Sequence, residues 1–508
     1  MEEKFRKHIE EGYTFKNESI LLGTSMLDGK PVVNNQIKAP LQTFNRHGLI
    51  AGATGTGKTK TLQNIAERLS EKGVPTLLMD IKGDLSGLAA KGDHAGFIDE
   101  RHASIGSPWV AKNYPVELLS ISDEPGVRMR ATISEFGPVL LSKILELTDT
   151  QAGVMAIIFK YCDDNKLPLL DINDLRKIVQ FISSDGKLEI EQNYGRVSAS
   201  STGSIMRKIL EVEQQGADKF FGEKSFEVDD LCRTDKDGQG FINIMRLTDI
   251  QSKPKLFSTF MLCLLAEVYE KFPEEGDALK PKLVIFIDEA HLIFREASDS
   301  LLNQLETIIK LIRSKGVGIF FCTQVPTDVP DVILSQLGMK VQHALRAFTA
   351  KDRKAIKLTA ENYPMSDFYD VDETLTKLGI GEAFITVLNR KGIPTPLAHT
   401  LLTAPSSRMD ILDEKEIKAL VKASDLVEEY NEEIDRESAY EILQAKMEHK
   451  EEELIKEELK KDEPVKKKTR GRAQKSTVEK VLNHSVTKTL LRELGRGLLG
   501  VLGLKGRR

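Results

Sequence analysis

The chain has 508 residues, of which 40% are hydrophobic and 29% are charged, and its formal net charge is -5 at pH 7. This length and composition are those of a globular protein with one large core and accessory segments. The charged N-terminus lacks the apolar run of a signal peptide, and no apolar run is long enough to cross a bilayer, so we expect a cytoplasmic protein and neither a secreted nor an integral membrane protein.

The four cysteines lie far apart and form no Cys-x-x-Cys pair; they are Cys162, Cys232, Cys263 and Cys322. Structural zinc sites and disulfide frameworks use cysteines at characteristic spacings. We therefore expect free thiols, with neither a zinc site nor a disulfide framework.

Short apolar runs that are typical of buried strands recur at 47–51, 74–79, 241–247, 283–287, 317–322, 340–345 and 383–388. The first run leads directly into a glycine loop, and residues 60–72 then show the apolar spacing of a helix. Strands that alternate with helices predict an α/β fold with a mainly parallel sheet covered on both faces.

Two long segments depart from this alternation. The first shows helical periodicity at 138–147, 154–162 and 172–182, and the second is highly charged and helical up to Pro464. We expect an N-terminal arm at 1–40, the two parts of the core at 41–130 and 235–405, a helical insertion at 131–234 and a charged helical tail at 406–508.

Positive charge is concentrated at the C-terminal end of this tail. Residues 464–508 hold 13 Lys or Arg and two Glu, a net charge of +11, which leaves -16 on the rest of the chain. A basic segment on an acidic body predicts contact with a polyanion or with a neighbouring subunit. Nucleic acid is therefore an expected partner of this tail, and a protein partner is the alternative.

The strongest motif is Gly52-Ala53-Thr54-Gly55-Thr56-Gly57-Lys58-Thr59, a complete G-x-x-x-x-G-K-[ST] pattern between a strand and a helix. Its glycines let backbone N-H groups surround the phosphates of a nucleotide, and the following helix presents its positive end. Lys58 is expected to reach the β- and γ-phosphates, and the Thr59 hydroxyl is expected to bind Mg2+. The motif predicts an ATP site.

An acidic pair, Asp288 and Glu289, follows the apolar run at 283–287. Hydrolysis of ATP needs one group that holds the metal shell and one that orients the attacking water. We expect Asp288 to hold the Mg2+ shell and Glu289 to polarise the water. An acidic pair alone is a weak signal because helix N-termini also favour Asp and Glu, but the glycine loop strengthens it.

Two further polar groups follow predicted strands. Gln324 comes after the run at 317–322 and would lie beside the γ-phosphate if that strand neighbours the strand of the glycine loop. The alternative is a solvated loop residue. Asp80, Lys82 and Asp84 follow the run at 74–79, and they either line the site or cap a turn.

Enzymes of this kind that work as rings often complete each site with an arginine from the next subunit, because its guanidinium stabilises charge on the transferred phosphoryl group. Arg313 is the first candidate for this role and Arg346 is the second. The alternative for each is an ordinary surface cation.

Two other patterns predict no metal site. His291 follows the acidic pair, but no second His or Cys stands at ligand spacing. Residues 235–238 begin like a calcium loop, yet Gln239 and Gly240 follow where further ligands are required, so a turn is expected.

Taken together, the segments at 47–59, 80–84, 287–291 and 322–324 resemble the motifs of the HerA/FtsK superfamily, and the bacterial YjgR-type group of HerA-like ATPases is the most similar. The likeness extends over residues 20–400, and the Arg- and Gly-rich end of the chain also looks like that group's. It implies a RecA-like P-loop NTPase fold and a ring, often a hexamer, that uses MgATP to drive DNA or protein through a central channel. The resemblance carries the same roles to Lys58, Thr59, Asp288, Glu289 and Gln324, and Arg313 stands where FtsK-like members place their trans-acting arginine.

Three functions are therefore open at the level of the sequence. The leading hypothesis is a motor ATPase acting on DNA, a translocase or helicase, with the basic tail on the phosphate backbone. The second is an ATP-dependent switch or assembly ATPase acting on protein partners. The third is a small-molecule phosphotransferase, which would not use Glu289 to activate water.

Overall fold

A twelve-stranded sheet runs through the part of the chain that the computed structural model describes, which is residues 1–461 without 252, 277, 296–298, 433 and 435. Its strands are β1 (Ser19–Leu27), β2 (Lys30–Pro40), β3 (Gly48–Ala51), β4 (Thr76–Asp80), β5 (Val116–Ser120), β6 (Val127–Arg128), β7 (Ile242–Arg246), β8 (Leu283–Ile287), β9 (Val317–Thr323), β10 (Met339–Gln342), β11 (Glu382–Thr386) and β12 (Ala398–Leu402). Their order across the sheet is β2-β1-β12-β11-β10-β3-β9-β8-β4-β7-β5-β6.

The strands from β10 to β6 pair in parallel, and β11, β12, β1 and β2 extend the sheet by antiparallel pairing. The prediction of a mainly parallel sheet is confirmed. The β1–β2 hairpin was not predicted, although its turn, Asp28-Gly29, is a known hairpin signal. Both turn residues have positive φ angles, 49° and 73°, as such a turn requires.

Helices cover both faces of the sheet. They are α1 (Glu2–Tyr13), α2 (Lys58–Glu71), α3 (Gly96–Ile105), α4 (Ile133–Ile144), α5 (Asp149–Asp164), α6 (Ile172–Ser183), α7 (Lys187–Asn193), α8 (Ala199–Gln214), α9 (Ala217–Phe220), α10 (Pro254–Lys271), α11 (His291–Arg295), α12 (Asp299–Ile312), α13 (Asp331–Leu334), α14 (Ala350–Glu361), α15 (Val371–Lys377), α16 (Glu414–Lys422), α17 (Asp425–Tyr430) and α18 (Ala439–Lys461). Successive residues of β3 pack on opposite faces of the sheet, since Leu49 belongs to one apolar cluster and Ile50 to another.

The helices α4 to α9 fall within the predicted insertion and share an apolar cluster with the sheet. Phe136 and Ile178 belong to the same buried cluster as Leu49 and Met79. The region therefore has no separate core, and the domain boundaries drawn from the sequence stay a prediction. Residues 1–447 form one compact unit of the chain.

Of the predicted C-terminal tail, residues 406–461 without 433 and 435 are described and contain α16, α17 and α18. Tyr430 and Leu443 are fully buried in the apolar cluster that also holds Leu49. The basic segment at 464–508 lies outside the described residues. Within the described part of the chain, no helix is both long and apolar enough to cross a membrane.

The polar face of α2, the helix after the glycine loop, binds the chain that follows β12. Glu67 is fully buried and accepts hydrogen bonds from the backbone N-H groups of Ser406 and Ser407, at 2.7 and 3.0 Å, and from the Ser407 hydroxyl at 2.5 Å. The Asn64 amide donates to the carbonyls of Thr403 and Ala404 at 3.2 and 3.1 Å. These contacts hold α2 against the segment that follows β12.

We predict that Glu67→Ala lowers the free energy of unfolding by about 3 kcal/mol, because two buried N-H groups lose their acceptor. The single tryptophan, Trp109, is a local probe, since its indole N-H donates to the carbonyl of Pro405 at 2.8 Å. Urea unfolding followed by Trp109 fluorescence measures the change. The exposed Glu11→Ala serves as the control, and equal midpoints for the two variants would contradict the role of Glu67.

Candidate nucleotide-binding site

The predicted site residues meet at the carboxyl ends of four neighbouring parallel strands, β3, β9, β8 and β4. The glycine loop follows β3, the acidic pair follows β8, Gln324 follows β9 and Lys82 follows β4. Ligands of open parallel sheets bind outside this edge. Strand order therefore brings together motifs that are more than 200 residues apart in the chain.

The glycine loop joins β3 to α2, as the sequence predicts. Gly55 and Gly57 have φ angles of 77° and 109°, which favour glycine. The loop is anchored to both neighbouring strands, because the Gly52 N-H donates to the carbonyl of Thr323 at 3.2 Å and the Ala53 N-H donates to that of Ala344 at 2.8 Å. These two bonds hold the first residues of the loop at the carboxyl ends of β9 and β10.

Lys58 is buried at the first residue of α2, and Thr59 is half-buried beside it. The Lys58 ammonium donates to the carbonyls of Gly52 and Ala53, at 2.6 and 3.2 Å. Burial lowers the pKa of Lys58, and the charge of Lys82 lowers it further. A second cation near this ammonium favours an anionic ligand, and the N-terminal end of α2 adds to that preference.

The acidic pair is buried where β8 ends. Burial raises the pKa of Asp288 to about 6, and Lys82 acts against that shift. The Oδ2 atom of Asp288 is buried, and no group in the described part of the chain hydrogen-bonds to it. Such an atom needs a partner, and a bound cation or its water shell would supply one.

Glu289 has a φ angle of 46°, an uncommon conformation for a residue with a side chain. Its Oε1 atom forms an ion pair with the Lys82 ammonium, and its Oε2 atom lies 3.1 Å from Nδ1 of His291. Burial lowers the pKa of Lys82, but its hydrogen bond to Glu289 and its attraction to Asp288 give a net rise. Lys82 therefore keeps its charge and holds the Glu289 carboxylate.

Asp80 caps the turn after β4. Its carboxylate accepts hydrogen bonds from the N-H groups of Gly83, Asp84 and Leu85, at 2.7, 3.2 and 3.2 Å. Burial raises the pKa of Asp80 to about 7, and Asp84 adds to the shift. Of the two readings of this segment, turn capping applies to Asp80, whereas Lys82 lines the site.

Gln324 and Arg346 lie at the carboxyl edge of the sheet, and Arg313 lies at the opposite edge. Gln324 is exposed directly after β9, which pairs with β3, so the geometric condition for a place beside the γ-phosphate is met. Arg346 follows β10 at the same edge and donates to the Thr376 carbonyl at 3.4 Å. Arg313 precedes β9 at the opposite edge, where it lines a cavity of about 460 Å³ with Arg46.

His343 is a neighbour of the glycine loop that the sequence analysis did not single out. It is fully buried, and its Nε2 atom lies 2.9 Å from the Thr61 hydroxyl of α2. A Cβ atom at Gly52 would lie 2.5 Å from the His343 Cβ, so this contact requires glycine. The signal was present, because His343 lies in the predicted strand at 340–345, but nothing indicated that β10 would pair with β3.

The residues present fit Mg2+ only as part of a nucleotide complex. The described residues contain no group of three or more His, Cys, Asp or Glu side chains that could hold a metal ion. Mg2+ commonly uses one or two protein oxygen ligands together with phosphates and water. The partnerless Asp288 oxygen and the Thr59 hydroxyl match that pattern.

The relatives of this chain include a DNA double-strand break repair helicase and a DNA import protein. The DNA double-strand break repair helicase HerA of Saccharolobus solfataricus is 24% identical over 359 residues, which are 69% of this chain and 64% of the relative. The DNA import protein CedB of Sulfolobus acidocaldarius is 26% identical over 391 residues, which are 74% and 55% of the two chains. The chain thus spans less than two thirds of the length of each of these relatives.

Among solved structures, the bacterial conjugative coupling protein TrwBdeltaN70 has a TM-score of 0.51 at 15% identity, covering 80% of this chain and 93% of that one. The plasmid coupling protein TrwB in complex with ADP and Mg2+ has a TM-score of 0.50 at 15% identity and covers 80% and 94%. At such identities the likeness concerns the fold alone, and it confirms the predicted RecA-like P-loop α/β fold.

A family model, Helicase HerA-like C-terminal, matches residues 26–508. The match takes in the glycine loop, the acidic pair and Gln324, which are the segments on which the resemblance to the HerA/FtsK superfamily rests. Because it spans nearly the whole chain, the chain belongs to the HerA-like C-terminal helicase family.

Proposed function

We propose that this protein is an ATP-hydrolysing motor that acts on DNA as a member of a ring. The observation that carries the proposal is the buried pair Asp288 and Glu289 at the carboxyl edge of β8, two strands from the glycine loop on β3. In the described part of the chain the Oδ2 atom of Asp288 has no hydrogen-bond partner, and the Glu289 carboxylate forms an ion pair with Lys82. This is the arrangement needed for hydrolysis rather than for nucleotide binding alone.

ATP would bind with its phosphates in the loop from Gly52 to Thr59, where backbone N-H groups and Lys58 neutralise them. A cavity of about 110 Å³ lies beside the start of α2 and has an apolar wall that includes Phe97, Ile380 and Met409. Such a wall fits the base of the nucleotide.

Thr59 and Asp288 would hold Mg2+ on the phosphates, and the ion supplies charge neutralisation on the β- and γ-phosphate oxygens. Burial favours the protonated form of Asp288, whereas the neighbouring Lys82 favours the carboxylate that can bind a cation. Lys82 thus prepares Asp288 for this role as well as holding Glu289.

Glu289 would act as the general base. It orients a water molecule, whose oxygen forms a bond to the γ-phosphorus while the bond to the β–γ bridging oxygen breaks. The water proton passes to the Glu289 carboxylate, and the leaving group is ADP. Gln324 would contact the γ-phosphate from the neighbouring strand and would thereby register whether that phosphate is present.

The Glu289→Gln variant is expected to bind ATP normally and to hydrolyse it at least 100-fold more slowly, because an amide cannot accept the water proton. Lys58→Ala is expected to lose nucleotide binding. Titration with a fluorescent ATP analogue and a steady-state phosphate-release assay separate the two effects. A wild-type rate for Glu289→Gln would refute the assignment of the general base.

Arg313 would complete the site of a neighbouring subunit, and the position of Arg313 supports this proposal. Because β9 and β3 are parallel, Arg313 and the glycine loop of the same chain lie at opposite edges of the sheet. Arg313 therefore cannot reach the nucleotide of its own subunit. A ring, of which a hexamer is the form we propose, would bring the two edges of successive subunits together.

We predict that Arg313→Ala and Lys58→Ala are each inactive and that mixing the two variants restores activity. In a mixed ring, about a quarter of the sites would combine an intact glycine loop with an intact arginine, so up to about a quarter of the wild-type rate should return. The same mixing with Arg346→Ala is the matched control. Recovery with Arg346→Ala instead of Arg313→Ala would transfer the role to Arg346.

DNA as the substrate is supported by the names of the relatives, a DNA repair helicase and a DNA import protein. We expect double-stranded DNA to raise the steady-state ATPase rate several-fold, and a non-hydrolysable ATP analogue to yield a ring-sized mass in solution. The two measurements are a phosphate-release assay and light scattering after size exclusion. An unstimulated rate from a monomer or dimer would favour the alternative, a switch or assembly ATPase that acts on proteins.

A further inference from the structure

A basic face with one exposed aromatic ring follows β10. It consists of Phe348 and the outward side of α14 with Arg353, Lys354 and Lys357. The Phe348 side chain is 86% exposed, and the three cations are exposed as well. A single exposed apolar side chain is ordinary on a protein surface, but an aromatic ring beside a cluster of cations is the combination with which proteins bind single-stranded nucleic acid.

The three cations of the basic face form no ion pair with the described residues. On α16, by contrast, Lys418 lies 3.8 Å from Glu414, and Glu416 binds Arg408 at 2.8 Å. Two nearby acidic residues are already engaged, since Asp352 caps α14 and Glu373 of α15 pairs with Lys377. Glu361 at the end of α14 offsets part of the charge, but the four Lys or Arg of α14 outnumber its two Asp or Glu, so the helix keeps a net positive charge that would attract a polyanion.

The backbone at Phe348 is held in place although its ring is exposed. The Asp352 carboxylate accepts hydrogen bonds from the N-H groups of Phe348 and Thr349, at 3.0 and 2.7 Å. On the opposite side of α14, Ile356 and Thr359 are buried. The cap and the buried side hold in place the backbone that carries the ring and the cations, so a ligand does not have to order this segment when it binds.

The basic face is linked to the glycine loop by the chain between them. The Ala344 carbonyl accepts from the Ala53 N-H at 2.8 Å, and His343 contacts Thr61 at 2.9 Å. Phe348 follows Ala344 by only four residues. The basic face is therefore only a few residues from a segment that contacts the glycine loop directly.

We propose that the basic face binds single-stranded nucleic acid, with a base stacked on Phe348 and phosphates on Arg353, Lys354 and Lys357. Nucleic acid fits better than an acidic peptide or a membrane, because an exposed aromatic ring beside cations is how proteins hold unpaired bases. The inference rests on the proposed function and adds the surface that contacts the substrate. The basic tail at 464–508 plays no part in it.

The first test measures binding of the full-length chain to a labelled thymidine oligonucleotide and to a duplex of the same length, by fluorescence anisotropy at several salt concentrations. We expect the triple variant R353Q/K354Q/K357Q to bind both ligands at least tenfold more weakly. Its plot of log affinity against log salt concentration should be shallower by about 2 for the single strand, because three phosphate contacts are lost. Phe348→Ala should weaken single-strand binding about tenfold and leave duplex binding unchanged.

The matched controls are K415Q/K418Q/K422Q on α16, with the same change in charge, and Leu188→Ala, whose side chain is 71% exposed elsewhere. Both should bind as the wild type does. If K415Q/K418Q/K422Q lost as much DNA affinity as R353Q/K354Q/K357Q, only the net charge of the chain would matter, and the proposal would be overturned. A Phe348→Ala effect on duplex as large as that on the single strand would overturn the base-stacking part.

The second test places the photo-crosslinking residue p-benzoyl-phenylalanine at position 348 and, as a control, at position 188. We expect a crosslink to the single strand from position 348 alone. If the wild type binds DNA but position 348 forms no crosslink, the basic face is not the contact surface. The same holds if the triple variant and Phe348→Ala bind as tightly as the wild type. In both cases the proposed function still stands. Failure of the wild type to bind or respond to any DNA would instead overturn the proposed function itself.

Discussion

The parallel pairing of β3 between β9 and β10 is the constraint on which the rest of the molecule depends. Parallel strands present their carboxyl ends at one edge, so this pairing places the glycine loop, Gln324 and the segment after β10 side by side. It also supplies the carbonyls of Thr323 and Ala344 that anchor the loop backbone. The loop needs such anchors because its glycines permit many other conformations.

Burial then sets the electrostatics of the site. Asp288 and Lys58 are both buried, and in each the pKa shift favours the neutral form. Lys82 acts on both, since it helps to ionise the carboxyl and disfavours a second ammonium beside it. The site therefore holds charge that is only partly compensated, which favours a ligand that brings an anion and a cation together, as MgATP does.

The sheet also separates two kinds of cationic site. The amino edge carries Arg313 in a cavity with other basic residues, and the carboxyl edge carries the nucleotide site and the basic face of α14. A single chain cannot use Arg313 on its own nucleotide, because a strand length lies between them. The proposed ring would give each edge a partner from the neighbouring subunit, and the short link from Ala53 to Phe348 would couple nucleotide state to the substrate surface.

The sequence by itself determined the fold class, the glycine loop and the acidic pair, because each depends on local order: apolar runs followed at once by glycine or carboxylate. It could not determine the contacts made by Lys82, His291 and His343, since these arise from which strands become neighbours. The β1–β2 hairpin was also missed, although its Asp-Gly turn is a local signal. Its place beside β12 could not be predicted, because it depends on pairing with a strand nearly 400 residues away. Only the tertiary structure decided that Asp80 caps a turn and that Lys82 lines the site. The two residues lie on one turn, but Asp80 binds the backbone of that turn, whereas Lys82 reaches Glu289 because β4 lies beside β8.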